Sequence, residues 1–218
     1  MTPAAFLFDL DGTLVDTESS WAMAISDMLA ARGERVPYTE ILPSIVGRNW
    51  YDIHSAIHET YPVLGDSSVM EDAAELRVYY ARHAAGPAAQ AIPGSVAFLR
   101  RASAVAPCAI VSGSPREDVI ETARACGFLD CIEFALGAGD YPRGKPDPSG
   151  FLAAAERFGA KPAECVVVED SEVGVAAGVA AGMRVIALKR PGFGARRLDG
   201  AEWTVEDLAG FDIKEAFG

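Results

Sequence analysis

The stretch "FLFDLDGTLVDTE", residues 6–18, is an apolar run that ends in two aspartates two positions apart, followed directly by Gly-Thr. Burying a carboxylate without a partner is expensive, so packing alone does not explain Asp9 and Asp11. The period of two in a strand places both side chains on one side of the chain as it leaves the strand, and Leu10 on the other. Gly12 allows a sharp turn there. Carboxylates this close either share a proton or bind a metal ion.

The rest of the chain indicates where this strand belongs. Beyond residue 89, buried apolar runs such as "CAIVSGS" and "CVVVEDS" alternate with amphipathic segments, as in parallel strands covered by helices on both faces. Residues 17–88 instead contain three helical patterns and no convincing strand. The sequence therefore predicts an α/β fold: a Rossmann-like, doubly wound parallel sheet core, residues 1–16 and 89–218, with an inserted all-helical cap domain at 17–88.

Composition and charge narrow the class of protein. The 218 residues are 50% hydrophobic and 23% charged, as in a folded globular protein. A net charge of −12 repels nucleic-acid phosphates and anionic membranes, so we expect neither as a partner. The four cysteines form no CxxC pair and read as reduced thiols. The start "MTPAA" lacks the basic region of a signal peptide, and we expect a cytoplasmic monomer.

Two further strand ends carry polar residues. In "AIVSGSP", residues 109–115, Ser112 ends a strand and Ser114 begins a capping box that would turn free helix N–H groups towards an anion. In "RGKPDP", residues 143–148, Lys145 is the first lysine of the chain, and flanking glycine and proline hold it in an extended segment. Taken alone, these could also be an ordinary helix cap and a surface lysine. Together they predict a phosphate site in an acidic protein.

A second acidic strand end follows in "CVVVEDSEVGVAAGVAAGM", residues 165–183. Glu169 and Asp170 end the buried strand, and Ser171 is placed to cap a helix rich in glycine and alanine. Hard oxygen ligands at a strand end suit Mg²⁺, which keeps several waters and takes few carboxylates. The sequence therefore predicts a magnesium site built from two strand ends.

The four stretches "DLDGT", "VSGS", "GKPDP" and "EDSEVGVAAGVAAGM" occur in the order of the four motifs of the haloacid dehalogenase superfamily, which this sequence resembles. It is similar to the subgroup whose helical cap follows the first motif, which includes phosphoglycolate phosphatases and beta-phosphoglucomutases. The resemblance covers nearly the whole chain.

The resemblance implies a mechanism. Asp9 would attack phosphorus to give an aspartyl-phosphate, and Asp11 would protonate the leaving oxygen and then activate water. The Mg²⁺ ion would be held by Asp9, the backbone carbonyl of Asp11, Asp170 and, directly or through water, Glu169. The phosphoryl oxygens would be bound by Thr13, Ser112, the Gly113 N–H and Lys145.

The resemblance also narrows the reaction. Dehalogenases of the superfamily lack the second aspartate, and phosphonatases need a cap lysine, whereas residues 1–144 contain no lysine. The related sugar-phosphate mutases carry a histidine twelve positions after the nucleophile, where this chain has Trp21, together with a cap lysine. We therefore expect a phosphatase acting on a small phosphorylated metabolite, such as a sugar or polyol phosphate. A mutase of the beta-phosphoglucomutase type and a catalytically silent ligand-binding module remain the alternatives.

Substrate recognition would fall to the cap. "IVGRNWYDIH", residues 45–54, resembles the cap specificity loop of the family. Arg48 would then bind a polar or anionic group of the substrate, and Trp50 or Tyr51 would contact a sugar face. The alternative is that Arg48 is an ordinary surface arginine and Trp50 a core residue. Trp21 is a further candidate for the same cavity. His54 and His58 have the spacing of two zinc ligands on one helix, but the glutamate of HExxH is missing and the sequence shows no third ligand nearby, so we predict no zinc site there.

Overall fold

The structure is a computed structural model that describes residues 2–45, 50–84, 91–189 and 197–216. Arg48 lies outside the described residues. The chain divides into two compact units, with boundaries at Val15 and Ala91. The first unit contains the sheet, and the second contains the helices between residues 16 and 84.

All strands of the first unit belong to one parallel sheet. Its order is β3-β2-β1-β4-β5-β6, so the chain starts in the middle, adds strands on one side, and then returns to build the other side. This confirms the predicted Rossmann-like, doubly wound α/β fold. The strands are β1 Ala5–Phe8, β2 Cys108–Val111, β3 Phe134–Leu136, β4 Cys165–Glu169, β5 Arg184–Leu188 and β6 Trp203–Val205.

The second unit contains helices and no strand among its described residues. Four helices pack around Ile25, Met28 and Ile57, which are fully buried. The sequence analysis predicted three helical patterns and missed the short helix that contains Pro43. The helices are α1 Thr17–Ala31, α2 Tyr38–Ile45, α3 Trp50–Thr60 and α4 Val69–Ala84.

Helices cover both faces of the sheet, which explains why its strands are continuously apolar. Phe6 and Phe8 of β1 face one core cluster, whereas Ala5 and Leu7 face the other, as the period of two requires. These helices are α5 Pro93–Ser103, α6 Arg116–Ala125, α7 Ser149–Phe158 and α8 Glu172–Ala180. Helices α5 and α6 contribute to the first cluster, and α7 and α8 to the second.

Two further findings concern the chain as a whole. The four cysteines are all free. Within the described ranges, no helix is both long enough and apolar enough to cross a lipid bilayer.

Candidate active site

The candidate site lies where β1 and β4 run side by side. Phe8 of β1 is paired with Val168 of β4, so the residues that follow them emerge together at the carboxyl edge of the sheet. The direction of strand addition reverses between these two strands, and ligands of open α/β sheets bind at such a switch point. The topology thus brings Asp9 next to Glu169 and Asp170.

These three carboxylates form a buried cluster. One oxygen from each of Asp9, Glu169 and Asp170 lies within 4.8 Å of the others, and all three residues are buried. Burial raises the pKa of Asp9 well above its ordinary value; Lys145 acts against this rise, and Glu169 adds to it. Three hard oxygen donors held together in this way fit Mg²⁺, because a divalent cation would offset their mutual repulsion.

Lys145 lies between two of these carboxylates. Its Nζ atom donates to Oδ1 of Asp9 at 2.6 Å, to Oε1 of Glu169 at 2.7 Å and to the carbonyl oxygen of Val111 at 3.0 Å. Burial acts to lower the pKa of Lys145, but the two carboxylates outweigh it and the pKa is raised. The structure therefore brings the predicted phosphate-binding lysine into the site, where its two carboxylate partners favour its charged form.

The Glu169 side chain is held by its own turn. Its Oε2 accepts from the backbone N–H of Asp170 at 2.9 Å, and from the N–H and hydroxyl of Ser171 at 2.8 and 2.9 Å. The Ser171 hydroxyl in turn accepts from the N–H of Gly174 at 3.0 Å, which confirms the predicted cap of α8. Both Glu169 oxygens are thus engaged, one by the turn and the other by Lys145.

Gly12 and Thr13 contact the third carboxylate. The Thr13 hydroxyl donates to Oδ1 of Asp170 at 3.1 Å and is fully buried. Gly12 has a φ of +94°, and a Cβ atom there would overlap the Asp170 carboxylate. Gly12 and Thr13 of the opening stretch therefore contribute to the Asp170 site: Gly12 leaves room for the carboxylate and Thr13 donates a hydrogen bond to it.

The Asp11 side chain turns towards two serines instead of joining the three-carboxylate cluster. Its Oδ2 accepts from the Ser112 hydroxyl at 3.2 Å and from the Ser114 hydroxyl at 2.9 Å. The predicted capping box at Ser114 was wrong, because α6 begins at Arg116 after Pro115 with no side-chain cap. Sequence reasoning therefore placed Ser114 in the right loop and missed its contact with Asp11.

The loops around Ser112 and Lys145 are braced from within the first unit. The Tyr141 hydroxyl donates to the carbonyl oxygen of Ser112 at 2.6 Å, a contact the sequence analysis did not foresee. Oδ1 of Asp147 accepts from the N–H of Ser149, the first residue of α7, at 3.0 Å. Gly113 lies between the two serines, and no described atom stands within 4 Å of where its Cβ would be.

The second unit contains a cavity of about 440 Å³. Trp21 and Trp50, two of the predicted cap residues, both line it, whereas Tyr51 is absent from its lining and is 70% exposed. The Trp21 ring stacks on Tyr80 with centroids 4.0 Å apart. The other lining residues are Glu18, Ile25, Ile45, Ile53, Ala73 and Arg77. Ile45 and Ile53 belong to the stretch that resembles the specificity loop, but the sequence analysis singled out none of the six.

The same unit corrects one expectation from the sequence. Asp72 of α4 lies beside His54 and His58 of α3, and one ligand atom from each lies within 4.8 Å of the others. The expectation that no third ligand is nearby was wrong, because Asp72 is 14 residues beyond His58 along the chain and reaches it only through helix packing.

The first unit has a doubly wound sheet with buried carboxylates and a lysine at its switch point, and a helical unit is inserted after its first strand. These features define the class of Rossmann-like α/β proteins with a polar ligand site at the carboxyl edge of the sheet. The particular family follows from comparison. A family model described as haloacid dehalogenase-like hydrolase matches residues 3–182, and the chain belongs to this family.

Three relatives illustrate the match. Hexitol phosphatase A of Escherichia coli (strain K12) is 36% identical over 188 residues, which cover 85% of this chain and 83% of that protein. A solved HAD family hydrolase from Deinococcus radiodurans R1, with bound phosphate and sodium, is 30% identical with a TM-score of 0.76, covering 94% of this chain and 92% of that one. A beta-phosphoglucomutase from Clostridium difficile, 24% identical with a TM-score of 0.70 over 99% and 96% of the two chains, shares the fold.

Proposed function

We propose that this protein is a Mg²⁺-dependent phosphatase that hydrolyses small phosphorylated metabolites, sugar or polyol phosphates above all, through an aspartyl-phosphate on Asp9. Membership of the haloacid dehalogenase-like hydrolases, with named phosphatases among its relatives, makes it a phosphoric monoester hydrolase. One observation carries the finer proposal: Asp9, Glu169 and Asp170 converge at the switch point of the sheet, and Lys145 lies between Asp9 and Glu169.

The donor set supports the assignment of the metal. We assign Asp9, Asp170 and the backbone carbonyl of Asp11 as the groups that would hold Mg²⁺. Glu169 would act through water, because three donors already occupy its Oε2 and Lys145 occupies its Oε1. When bound, Mg²⁺ would neutralise charge on the phosphoryl oxygens and favour the ionised form of Asp9.

The first chemical step falls to Asp9. Its carboxylate attacks phosphorus, an Asp9–phosphorus bond forms, and the bond from phosphorus to the ester oxygen breaks. Lys145 holds one Asp9 oxygen and places a fixed positive charge where the phosphoryl group arrives. The Gly113 N–H would bind the transferring group from the neighbouring loop, and Ser112 would join it when its hydroxyl turns from Asp11 to a phosphoryl oxygen. The Thr13 hydroxyl is engaged by Asp170, so we assign its contribution to its backbone N–H.

Proton transfer falls to Asp11. It would give a proton to the leaving alcohol and then take one from the water that attacks the phosphorylated Asp9, which releases inorganic phosphate and restores both side chains. The hydroxyls of Ser112 and Ser114 hold one Asp11 oxygen and thereby orient the carboxyl group. Asp9 and Asp11 thus have separate roles because different neighbours hold them.

The proposed substrate class rests on the cap and on the relatives. By resemblance to the family, the cap recognises the leaving group. Its cavity is lined by the aromatic rings of Trp21 and Trp50 and by the charged side chains of Glu18 and Arg77. Aromatic rings suit the apolar face of a sugar or polyol chain, and charged groups suit its hydroxyls. The similarity to hexitol phosphatase A favours the same substrate class.

A mutase is the second candidate, favoured by the shared fold of a beta-phosphoglucomutase. The chain has Trp21 where those mutases carry histidine and has no cap lysine, which favours water as the phosphoryl acceptor. A silent ligand-binding module is a weaker candidate because the catalytic carboxylates and lysine are all present.

A cytoplasmic location and a monomeric state remain predictions from the sequence.

The test is release of inorganic phosphate from hexitol phosphates, hexose phosphates, phosphoglycolate and a chromogenic phosphate ester, with and without Mg²⁺. We expect Mg²⁺-dependent release in the wild type and none in Asp9→Asn. Interconversion of isomers without phosphate release would establish a mutase instead. Absence of both turnover and phosphorylation of Asp9 would favour the silent module.

A further inference from the structure

A second candidate metal centre lies wholly within the helical unit. His54 and His58 on α3 and Asp72 on α4 bring two imidazole nitrogens and one carboxylate oxygen within 4.8 Å of one another. We propose that these three residues bind a zinc-class divalent ion that links α3 to α4. This centre takes no part in the phosphatase mechanism proposed above.

The two histidines are arranged to act together. They lie one helical turn apart, and their rings stack with centroids 4.0 Å apart and an angle of 27° between planes. The Nε2 atoms of His54 and His58 lie 3.3 and 2.6 Å from the same Oδ2 of Asp72. Around a tetrahedral ion with bonds of ~2.0–2.1 Å, ligand atoms are roughly 3.3 Å apart. The distance from His54 Nε2 to Asp72 Oδ2 already matches this ligand spacing. The distance from His58 Nε2 to Asp72 Oδ2 would have to lengthen by less than about 1 Å when the ion binds.

The contacts of His58 determine which of its ring nitrogens faces Asp72. Its Nδ1 lies 3.1 Å from the carbonyl oxygen of Gly65, which fixes the ring proton of a neutral imidazole on Nδ1. Metal-binding histidines typically donate their second N–H to a carbonyl or carboxylate in this way. The Nε2 lone pair then faces Oδ2 of Asp72, and two such electron-rich atoms require a proton or a cation between them.

Asp72 supplies the independent observation. Its side chain is 1% exposed, and its Oδ1 is buried without a hydrogen-bond partner among the described residues. A buried carboxylate oxygen that lacks a partner is costly, and a cation bound to the same carboxylate would offset part of that cost. The Nε2 of His54 also lies 3.2 Å from the carbonyl oxygen of Ser67, which would accept a proton from this nitrogen; that proton has to leave when the ion binds.

The ligand chemistry separates this centre from the one at Asp9. Two imidazoles and one carboxylate suit Zn²⁺ and similar first-row ions, whereas a donor set of oxygens alone suits Mg²⁺. Three protein ligands leave a fourth position for water. Because the ligands come from two helices, the bound ion would stabilise the packing of α3 against α4.

The test uses the full-length protein saturated with Mg²⁺ and titrated with Co²⁺, whose visible bands report tetrahedral coordination. We expect one equivalent to bind per chain, and Zn²⁺ to displace it. His58→Gln should weaken Co²⁺ binding by more than about 100-fold, because even the loss of an outer partner of a metal ligand costs 10–100-fold. The matched control is His83→Gln: His83 pairs with Asp27 at 3.0 Å in the same unit and should bind Co²⁺ like the wild type.

A second measurement needs no variant. The chain has three histidines, so NMR can follow each imidazole separately. We expect Zn²⁺ to shift the resonances of His54 and His58 and to leave those of His83 unchanged. Absence of a Zn²⁺-induced shift at His54 and His58, or Co²⁺ binding unaltered by His58→Gln, would overturn the proposal and leave a proton as the bridge to Asp72.

Discussion

The Nζ atom of Lys145 lies 2.6 Å from Oδ1 of Asp9, and it lies 2.7 Å from Oε1 of Glu169. The lysine therefore compensates two buried carboxylates from different strands at once. This contact links the stability of the first unit to its proposed chemistry, since the charge that makes the acidic cluster tolerable is also the charge that would meet a phosphoryl group.

Replacement of this lysine should reveal both roles. In Lys145→Met, the two carboxylates lose their buried partner, and we expect the metal-free protein to lose about 3–5 kcal/mol of unfolding free energy. Phosphatase activity should fall by at least about 100-fold. Thermal unfolding with and without Mg²⁺, together with phosphate release, checks this. Lys161→Met is the control: Lys161 is 82% exposed and its loss should cost no more than about 0.5 kcal/mol. Equal stability of the two variants would contradict the prediction.

Orientation of Asp11 by Ser114 gives a second prediction. Ser114→Ala removes one of two hydroxyl donors to Asp11, which is worth about 1 kcal/mol and hence roughly a fivefold loss of kcat. The loss should appear with alkyl phosphates, whose leaving oxygen needs a proton, and should nearly vanish with a nitrophenyl ester. Ser103→Ala, which removes a hydroxyl that is bonded to the carbonyl oxygen of Arg100 and also interacts with the Cys131 thiol, should change neither rate. An equal loss with both substrates would exclude an effect through proton transfer.

The sequence was most informative where a residue type is dictated by its place on a strand. Asp9, Glu169 and Asp170 could be predicted at one edge of the sheet because parallel strands bring their carboxyl ends together, and the structure places them so. The edge strand β6 was missed because it is short and not fully buried, so it lacks the continuous apolar run of a central strand. Helix α2 was missed because Pro43 interrupts its pattern.

Contacts made by tertiary packing could not be derived in the same way. Lys145 was predicted to meet phosphate, but its direct contact with Asp9 depends on two loops that are 136 residues apart in sequence. The contact of Ser114 with Asp11 spans 103 residues, and local propensity favoured a helix cap instead. Asp72 reaches His58 only because α3 packs against α4. The hydrophobic periodicity of a helix does not show which other helix it will pack against.

The close approach of α8 to the acidic cluster gives a third prediction. A Cβ atom at Gly174 would overlap the carboxylate of Glu169. We expect Gly174→Ala to weaken Mg²⁺ binding by about 10–100-fold and to cost about 1–3 kcal/mol of stability, although alanine is the better helix former. Mg²⁺ titration followed by calorimetry and thermal unfolding measures both. Gly210→Ala is the control, since no described atom lies within 4 Å of its Cβ position. Wild-type Mg²⁺ affinity in Gly174→Ala would show that Glu169 does not support the metal.

The buried thiols predict how stability depends on pH. Burial raises the pKa of Cys108 to about 12 and that of Cys165 to about 11, so both stay protonated in the native protein well above the ordinary thiol pKa of ~8.5. The unfolded chain loses these protons first, so it binds fewer protons than the native state, and unfolding free energy should fall as the pH rises from about 9 towards 11.

The same burial makes these thiols unreactive. At pH 8 a thiol reagent should modify the half-buried Cys126 first, whereas Cys108 and Cys165 should react only after denaturation. Peptide mapping of partly modified protein identifies the order, and Cys108→Ala and Cys165→Ala should flatten the alkaline loss of stability. Modification of Cys108 as fast as Cys126 in the native state would contradict the burial of β2 on which this prediction rests.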